Sequence, residues 1–267
     1  MDSLYVTLTT FAIICGGAML GFIIKGYLRE HHLAPQTHDS VKLATGVVAT
    51  LTALVLGLLI GSAKQSFDAR AGEARTFAIN LTLLDRSMRL YEPPLIEEEK
   101  SLVKFSKAMR DQLWGFGAAT TVTNVEVLSQ LDQARNEFRR LDPQTLQNKA
   151  LKDRYMKLSD TLILAANELL QLDQAPIPAH MIGIVDGWLA LIFIGFALFA
   201  PFNGVSIVAI GSGAGAVAMA LFIIVEMSAP FQGFITVPSR TMDNAIAQIS
   251  TGGTQFLARM SASEEIK

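Results

Sequence analysis

Charge is scarce in this sequence: Asp, Glu, Lys and Arg make up 17% of its 267 residues, against about 25% in a typical soluble domain. The net charge of −2 gives no basic surface of the kind that binds nucleic acid. A single cysteine, Cys15, excludes a disulfide within the chain. The sequence also lacks strand-like alternation, internal repeats and any combination of nucleophile, base and acid, so we expect neither a β-domain nor an enzyme.

Hydrophobic residues, by contrast, make up 51% of the chain and are concentrated in two pairs of long runs. Each run has about 20 residues or slightly more, the length that a hydrocarbon core of about 30 Å requires. The first run lacks the basic region of a secretory signal, so we expect it to stay in the mature chain. The predicted spans cover residues 4–25, 43–64, 181–200 and 204–227.

The polar stretch between the two pairs of runs has helical patterning throughout. The sequence therefore predicts an all-α membrane protein, with four transmembrane helices and a helical soluble module inserted between spans two and three. The predicted division is 1–64 for spans one and two, 65–178 for the module, 179–228 for spans three and four, and 229–267 for an amphipathic C-terminal segment.

Within the module, proline residues mark the expected helix boundaries. Span two continues without a helix breaker as far as Pro93-Pro94, which predicts one long helix leaving the membrane. Further helices are predicted from Pro94 to about Trp114, over about 124–141, and from an N-cap at Asp142, with Pro143 at the first helical position, to about Leu172.

The short loop between spans one and two suggests an orientation. Lys25, Arg29 and Lys42 lie in or beside this loop, whereas only Asp2 and the terminal amine precede span one. The positive-inside rule therefore favours a cytoplasmic first loop and an outside N-terminus. That orientation predicts an extracytoplasmic soluble module.

Span two carries a stripe of small residues that ends in a lysine. At about 100° per residue, the members of this stripe fall within roughly 80° of one another on a helix. Small residues allow close helix packing, and they also leave room along a pore, so both interpretations stay open. The stripe consists of Gly46, Thr50, Ala53, Gly57, Gly61 and Lys64.

Three ionisable residues are predicted at one membrane face. Asp186 lies inside span three, Glu226 lies near the end of span four, and Lys64 closes span two. They could reach lipid headgroups or pair to lock the bundle, or they could form a charged ring at a pore mouth. A proton relay is a further alternative, but a proton-driven stator needs a carboxylate at mid-membrane, and these two lie near the span ends.

The histidine-rich first loop is a weak metal candidate. His31, His32, His38 and Asp39 match no closed ligand spacing, so we predict no metal site and no cofactor. The glycine-rich segment of span four follows no strand, which argues against a phosphate-binding loop.

Residues 177–249 resemble the bestrophin-like domain proteins, a family of bacterial and plant membrane proteins. The features that carry the resemblance are Trp188 early in span three, an AP-x-N turn from Ala200 to Asn203, Glu226 before a PF-x-G element at Pro230, Phe231 and Gly233, and a final amphipathic segment over about 238–250. Arg70, Glu73 and Asn80 extend the resemblance into the helix that continues span two.

The resemblance implies four spans with a helical insert. Bestrophins are pentameric anion channels in which span two lines the pore, so the resemblance implies that the stripe from Gly46 to Lys64 lines a pore here. Span two lacks the repeated aromatic residues of a bestrophin-type neck.

Two functions follow as hypotheses. In the first, the chain forms a homo-oligomeric ion channel or pore lined by span two, with the lipid bilayer and ions as its other partners. In the second, it is a membrane-anchored helical sensor or scaffold that binds a protein partner and transports nothing.

Overall fold

A computed structural model describes residues 3–28, 35–92, 95–115, 123–171 and 179–251. All regular secondary structure in these ranges is helical, which confirms the predicted all-α fold. The helices are α1 (Ser3–Tyr27), α2 (Pro35–Arg89), α3 (Ile96–Trp114), α4 (Asn124–Arg140), α5 (Leu146–Gln171), α6 (Ala179–Phe199), α7 (Gly204–Met227) and α8 (240–251).

Four of these helices are long and apolar enough to cross a membrane: α1, α2, α6 and α7. Their bounds agree with the predicted spans within a few residues, except for α2, which begins at Pro35, eight residues before the predicted start, and runs on for 55 residues as one helix. The prediction that span two continues without a break is therefore confirmed. Asn203 is the N-cap of α7, since its side chain accepts a hydrogen bond from the Ser206 N–H at 2.8 Å.

The described chain divides into two compact units, and each is treated by itself. Unit 1 comprises Met1–Phe67 and Ala175–Ile235, and unit 2 comprises Asp68–Gln174 and Thr236–Lys267. Unit 1 thus contains α1, α6, α7 and the first part of α2, whereas unit 2 contains the rest of α2 with α3, α4, α5 and α8.

In unit 1, α1 and α6 run parallel and approach closely. Two glycines of α1 permit the approach: a Cβ at Gly17 would lie 2.9 Å from the Ala190 carbonyl oxygen, and one at Gly21 would lie 2.5 Å from that of Ile194. Lys25 closes the same contact by donating to the Ala200 carbonyl at 2.7 Å. A parallel pair is what the first and third of four successive spans must form.

The core of unit 2 is built from aromatic and aliphatic side chains. Phe138 of α4 stacks on Tyr155 of α5, with ring centroids 3.7 Å apart, and both residues are fully buried. Phe77 of α2 packs near Phe105 of α3, at 6.2 Å between centroids. Burial of these large rings stabilises the four-helix arrangement through the hydrophobic effect.

The predicted start of α5 is wrong. Asp142 was expected to cap the helix, but α5 begins at Leu146. Thr145 caps it instead, since its hydroxyl accepts from the Asn148 N–H at 3.1 Å and its carbonyl accepts from Lys149 at 3.0 Å. Two residues of cap-forming type, three positions apart, made the sequence ambiguous here.

Candidate functional site

The apolar part of α2 presents one face to the core of unit 1. Thr52 and Ala63 are buried on this face, 2% and 5% exposed, and Thr45 contacts the backbone of α6 beside Gly195. Partly buried residues complete the face: Val48, Ala49, Val55, Leu56 and Leu59. Together with Thr45, Thr52 and Ala63, these residues follow the i, i+3, i+4, i+7 spacing of the contact face of a packed helix.

The stripe of small residues lies on a different face and is exposed in the single chain along its whole length, from Gly46 to Lys64. Among the described residues, no atom outside the helix's own backbone lies within 4 Å of a Cβ built at Gly46, Gly57 or Gly61. The three glycines of the stripe therefore pack against no other helix in the part of the chain that the structure describes.

Large apolar side chains form a third face of α2. Val47, Leu51, Leu54 and Leu58 are 52–66% exposed. At 100° per residue, this face is centred about 90° from the stripe, and the core face is centred about 130° from the stripe on its other side. In the single chain, α2 therefore leaves two chemically distinct surfaces uncovered, one of small and one of large residues.

Charged residues border the stripe at both ends. An open groove of about 860 Å³ is lined by Asp39 and Lys42 together with Gly46 and Thr50. Asp39 and Lys42 precede Gly46 by seven and four residues, so they share its face of the helix. Both residues were assigned to the first loop from the sequence, although the same count of 100° per residue places them on the face of the stripe.

Lys64 closes the other end of the stripe. Its side chain is exposed, and its Nζ lies 5.7 Å from the centroid of the Phe67 ring one turn further along α2. This distance is within the range of a cation–π contact.

Asp186 is buried between α1 and α6. It is 7% exposed, and its Oδ1 accepts a hydrogen bond from the fully buried Thr10 hydroxyl at 2.9 Å. Asp186 is the eighth residue of α6, about 10 Å along the helix from its start. This hydrogen bond holds α1 and α6 in one register, because sliding either helix would leave the buried Thr10 hydroxyl or the Asp186 carboxylate without a partner and so cost free energy.

Glu226 organises the loop that follows α7. It is 2% exposed, and its Oε1 accepts a hydrogen bond from the backbone N–H of Phe234. Gly233 makes this contact possible: its φ is +100°, and a Cβ there would overlap the Glu226 carboxylate. The PF-x-G element is thus folded back onto the acidic residue that precedes it.

The contacts given above attach Lys64, Asp186 and Glu226 to three different groups, and their action as one charged cluster stays a prediction. Among the described residues, no group of three His, Cys, Asp or Glu side chains could hold a metal ion. His31, His32 and the side chain of His38 lie outside that part of the chain.

The family model "Bestrophin-like domain" matches residues 12–242. No curated protein matches the chain.

Similar solved structures include variants of a bacterial bestrophin homologue from Klebsiella pneumoniae. One is 15% identical, covers 95% of this chain and 99% of its own, and has a TM-score of 0.67. Another is 13% identical, with 93% and 99% covered and a TM-score of 0.65. A structure described only as a membrane protein is 12% identical, with 93% and 98% covered and a TM-score of 0.65. At these identities the likeness shows the fold.

Proposed function

The chain belongs to the Bestrophin-like domain family, and on that premise we propose that it forms a homo-oligomeric ion channel or pore lined by span two. Bestrophins are ion channels, a class of protein that is generally not enzymatic, and the chain is a membrane protein by family and by its apolar helices. The observation that carries the proposal is the stripe on α2, which is exposed along its length and whose three glycines would place a Cβ against no other helix in the described part of the chain.

The composition of the two uncovered faces supports this use of α2. Val47, Leu51, Leu54 and Leu58 give lipid tails a broad apolar surface. The stripe gives a lipid tail little to contact, and it has charged residues at both ends, which favour water or protein over hydrocarbon. In a ring of copies, the stripe then faces the central axis.

Lys64 is the residue we assign to the pore mouth. As an exposed cation at the end of the stripe, it raises the local concentration of anions. Asp186 and Glu226 complete the charge at this end of the spans, and their buried contacts with Thr10 and Phe234 hold the surrounding frame in place. The positive residues of the first loop favour placing the soluble module outside the cytoplasm.

The test is ion flux through the purified protein in liposomes, with a substitution that reverses the charge at the mouth. We expect wild-type conductance that selects anions, and a shift of the reversal potential toward cations in Lys64→Glu. Lys100→Glu is the matched control, because Lys100 is an exposed lysine of α3 that pairs only with its neighbour Glu97 among the contacts described.

The same experiment can refute the proposal. Absence of flux at every pH and voltage, with no effect of Lys64→Glu, would overturn it. A stoichiometric protein partner recovered from native membranes, and lost when residues 92–172 are deleted, would then favour the sensor or scaffold.

A further inference from the structure

One arginine in unit 2 joins three helices. The Arg89 side chain, on α2, contacts both oxygens of Asp85 one turn earlier, at 2.8 and 3.1 Å. Its Nη2 also lies 3.2 Å from Glu99 Oε1 on α3. The same nitrogen donates to the Ile249 carbonyl at 2.7 Å and the Gln248 carbonyl at 3.3 Å, both on α8. Arg89 therefore ties α8 to α2 and α3.

The Nη2 group of Arg89 has more acceptors than hydrogens. It carries two N–H donors, and four oxygens lie within 3.3 Å of it, from Asp85, Glu99, Gln248 and Ile249. As a result, not every oxygen receives a hydrogen bond. Glu99 Oε1 is buried and has no hydrogen bond of acceptable geometry among the described residues. The carboxylates and the α8 carbonyls thus compete for one group.

We propose that Asp85, Arg89 and Glu99 form a proton-responsive clamp, which holds α8 firmly at acidic pH and loosens it as the pH rises. A proton on either carboxyl removes one charged competitor and turns an acceptor into a donor. The Nη2 hydrogens are then free for the carbonyls of Gln248 and Ile249. At higher pH, two carboxylates share one guanidinium and the α8 carbonyls lose their donor.

The electrostatics of the cluster agree with this direction. Burial raises the pKa of Asp85 to about 6, with a further rise from the charge of Glu99, against the lowering effect of Arg89. Burial likewise raises the pKa of Glu99, again opposed by Arg89. An acid whose pKa is raised in the closed clamp binds its proton more tightly there, so closure is most favoured below the ordinary pKa of about 3.9, and this advantage is lost as the pH rises through about 6.

The groups that face the clamp can be assigned helix by helix. On α2 these are Asp85 and Arg89, and on α3 the group is Glu99. From α8 the two carbonyl oxygens reach Arg89, whereas the acidic residue of that helix, Asp243, pairs with Arg110 of α3 at 3.3 Å. The Asp243 contact supplies an attachment of α8 that is independent of the clamp.

Hydrogen exchange of the full-length protein in lipid nanodiscs tests the clamp. The quantity to compare is the protection factor, which removes the intrinsic pH dependence of exchange, for amides in 240–251 at pH 5 and pH 8. We expect about a tenfold loss of protection at pH 8, with no such loss in α5. Asp85→Asn mimics the protonated acid and should keep at pH 8 the protection that wild type has at pH 5.

Asp243→Asn is the matched control. It removes an attachment of α8 that does not involve the clamp, so protection should fall at both pH values while the ratio between them stays that of wild type. The clamp is overturned by a wild-type ratio near one, or by an Asp85→Asn variant that loses protection with pH as wild type does.

Discussion

The close contact between α1 and α6 predicts that adding one methyl group at Gly21 destabilises the protein. Gly21→Ala places a Cβ 2.5 Å from the Ile194 carbonyl oxygen and 2.8 Å from the Ala197 Cβ. The first of these is a backbone atom, which cannot turn aside as a side chain can. The two helices must therefore separate by a substantial fraction of an ångström.

The expected cost follows from two opposed effects. Overpacking of a close contact costs about 1–3 kcal/mol, since the separated helices lose part of their dispersion attraction along the interface. Alanine recovers about 0.5–1 kcal/mol through its better helix propensity. Gly21→Ala should therefore lower the free energy of unfolding by about 1–2 kcal/mol, and the melting temperature by roughly 2–8 °C.

Gly16→Ala is the matched control on the same helix. A Cβ at Gly16 meets no atom of the described residues within 4 Å, so this variant should melt at or slightly above the wild-type temperature. Scanning fluorimetry of the purified protein in detergent measures both. If Gly21→Ala is as stable as Gly16→Ala, the close approach of α1 and α6 is wrong.

Three further predictions concern buried polar groups. Thr10→Val removes the hydrogen-bond donor to the buried Asp186 carboxylate and should lower the free energy of unfolding by about 1–3 kcal/mol. Thr50→Val is the control, because the Thr50 hydroxyl is exposed and, among the described contacts, bonds only within its own helix turn. This variant should be nearly neutral in the same melting assay. The pKa of Asp85 is about 6 in the folded protein and about 3.9 in the unfolded chain. In urea titrations of wild type, the free energy of unfolding should therefore fall by about 2–3 kcal/mol between pH 4 and pH 7. An equal fall in Asp85→Asn would contradict this. Gly233→Ala should expose the loop after α7 to protease, since its φ of +100° and the adjacent carboxylate exclude a Cβ; unchanged cleavage would show that the loop is not pinned.

The arrangement of the spans could be predicted from the sequence because each span is a long apolar run of membrane length. The predicted limits of span four, 204–227, coincide with those of α7. Local capping was harder to predict, because Asp142 and Thr145 are both good N-cap residues and only the fold selects between them. The continuation of α2 to Arg89 could be predicted because no proline follows in the sequence until Pro93.

The use of the glycine pairs could not be predicted from spacing alone. Gly17 and Gly21 lie against α6, whereas Gly57 and Gly61 have the same four-residue spacing and contact nothing in the described part of the chain. Spacing identifies which residues allow close approach, but the neighbour is supplied by the fold. Gly57 and Gly61, which have no neighbour in the described part of the chain, therefore mark a surface on α2 that is open to water or another protein molecule.

The partners of the buried charges also depend on distant parts of the chain. The Arg89 clamp was missed because its acceptors are Glu99 of α3 and backbone carbonyls of α8, some 160 residues away, and carbonyl acceptors leave no signal in a sequence. Nothing in the sequence indicated that Glu226 accepts a hydrogen bond from the backbone of Phe234, and its place beside Lys64 stays a prediction. The motif residues and the charged residues could be identified from the sequence, whereas the partner of each one could be identified only from the structure.

The central claim is that the small-residue face of α2 meets water or protein in the membrane. Because Cys15 is the only native cysteine, a Cys15→Ser background allows one fluorophore at Ala53→Cys on the stripe and another, for comparison, at Leu54→Cys on the large apolar face. Quenching by a bilayer-dissolved quencher is the measurement. We predict strong quenching at position 54 and little at position 53; equal quenching at both would contradict the account.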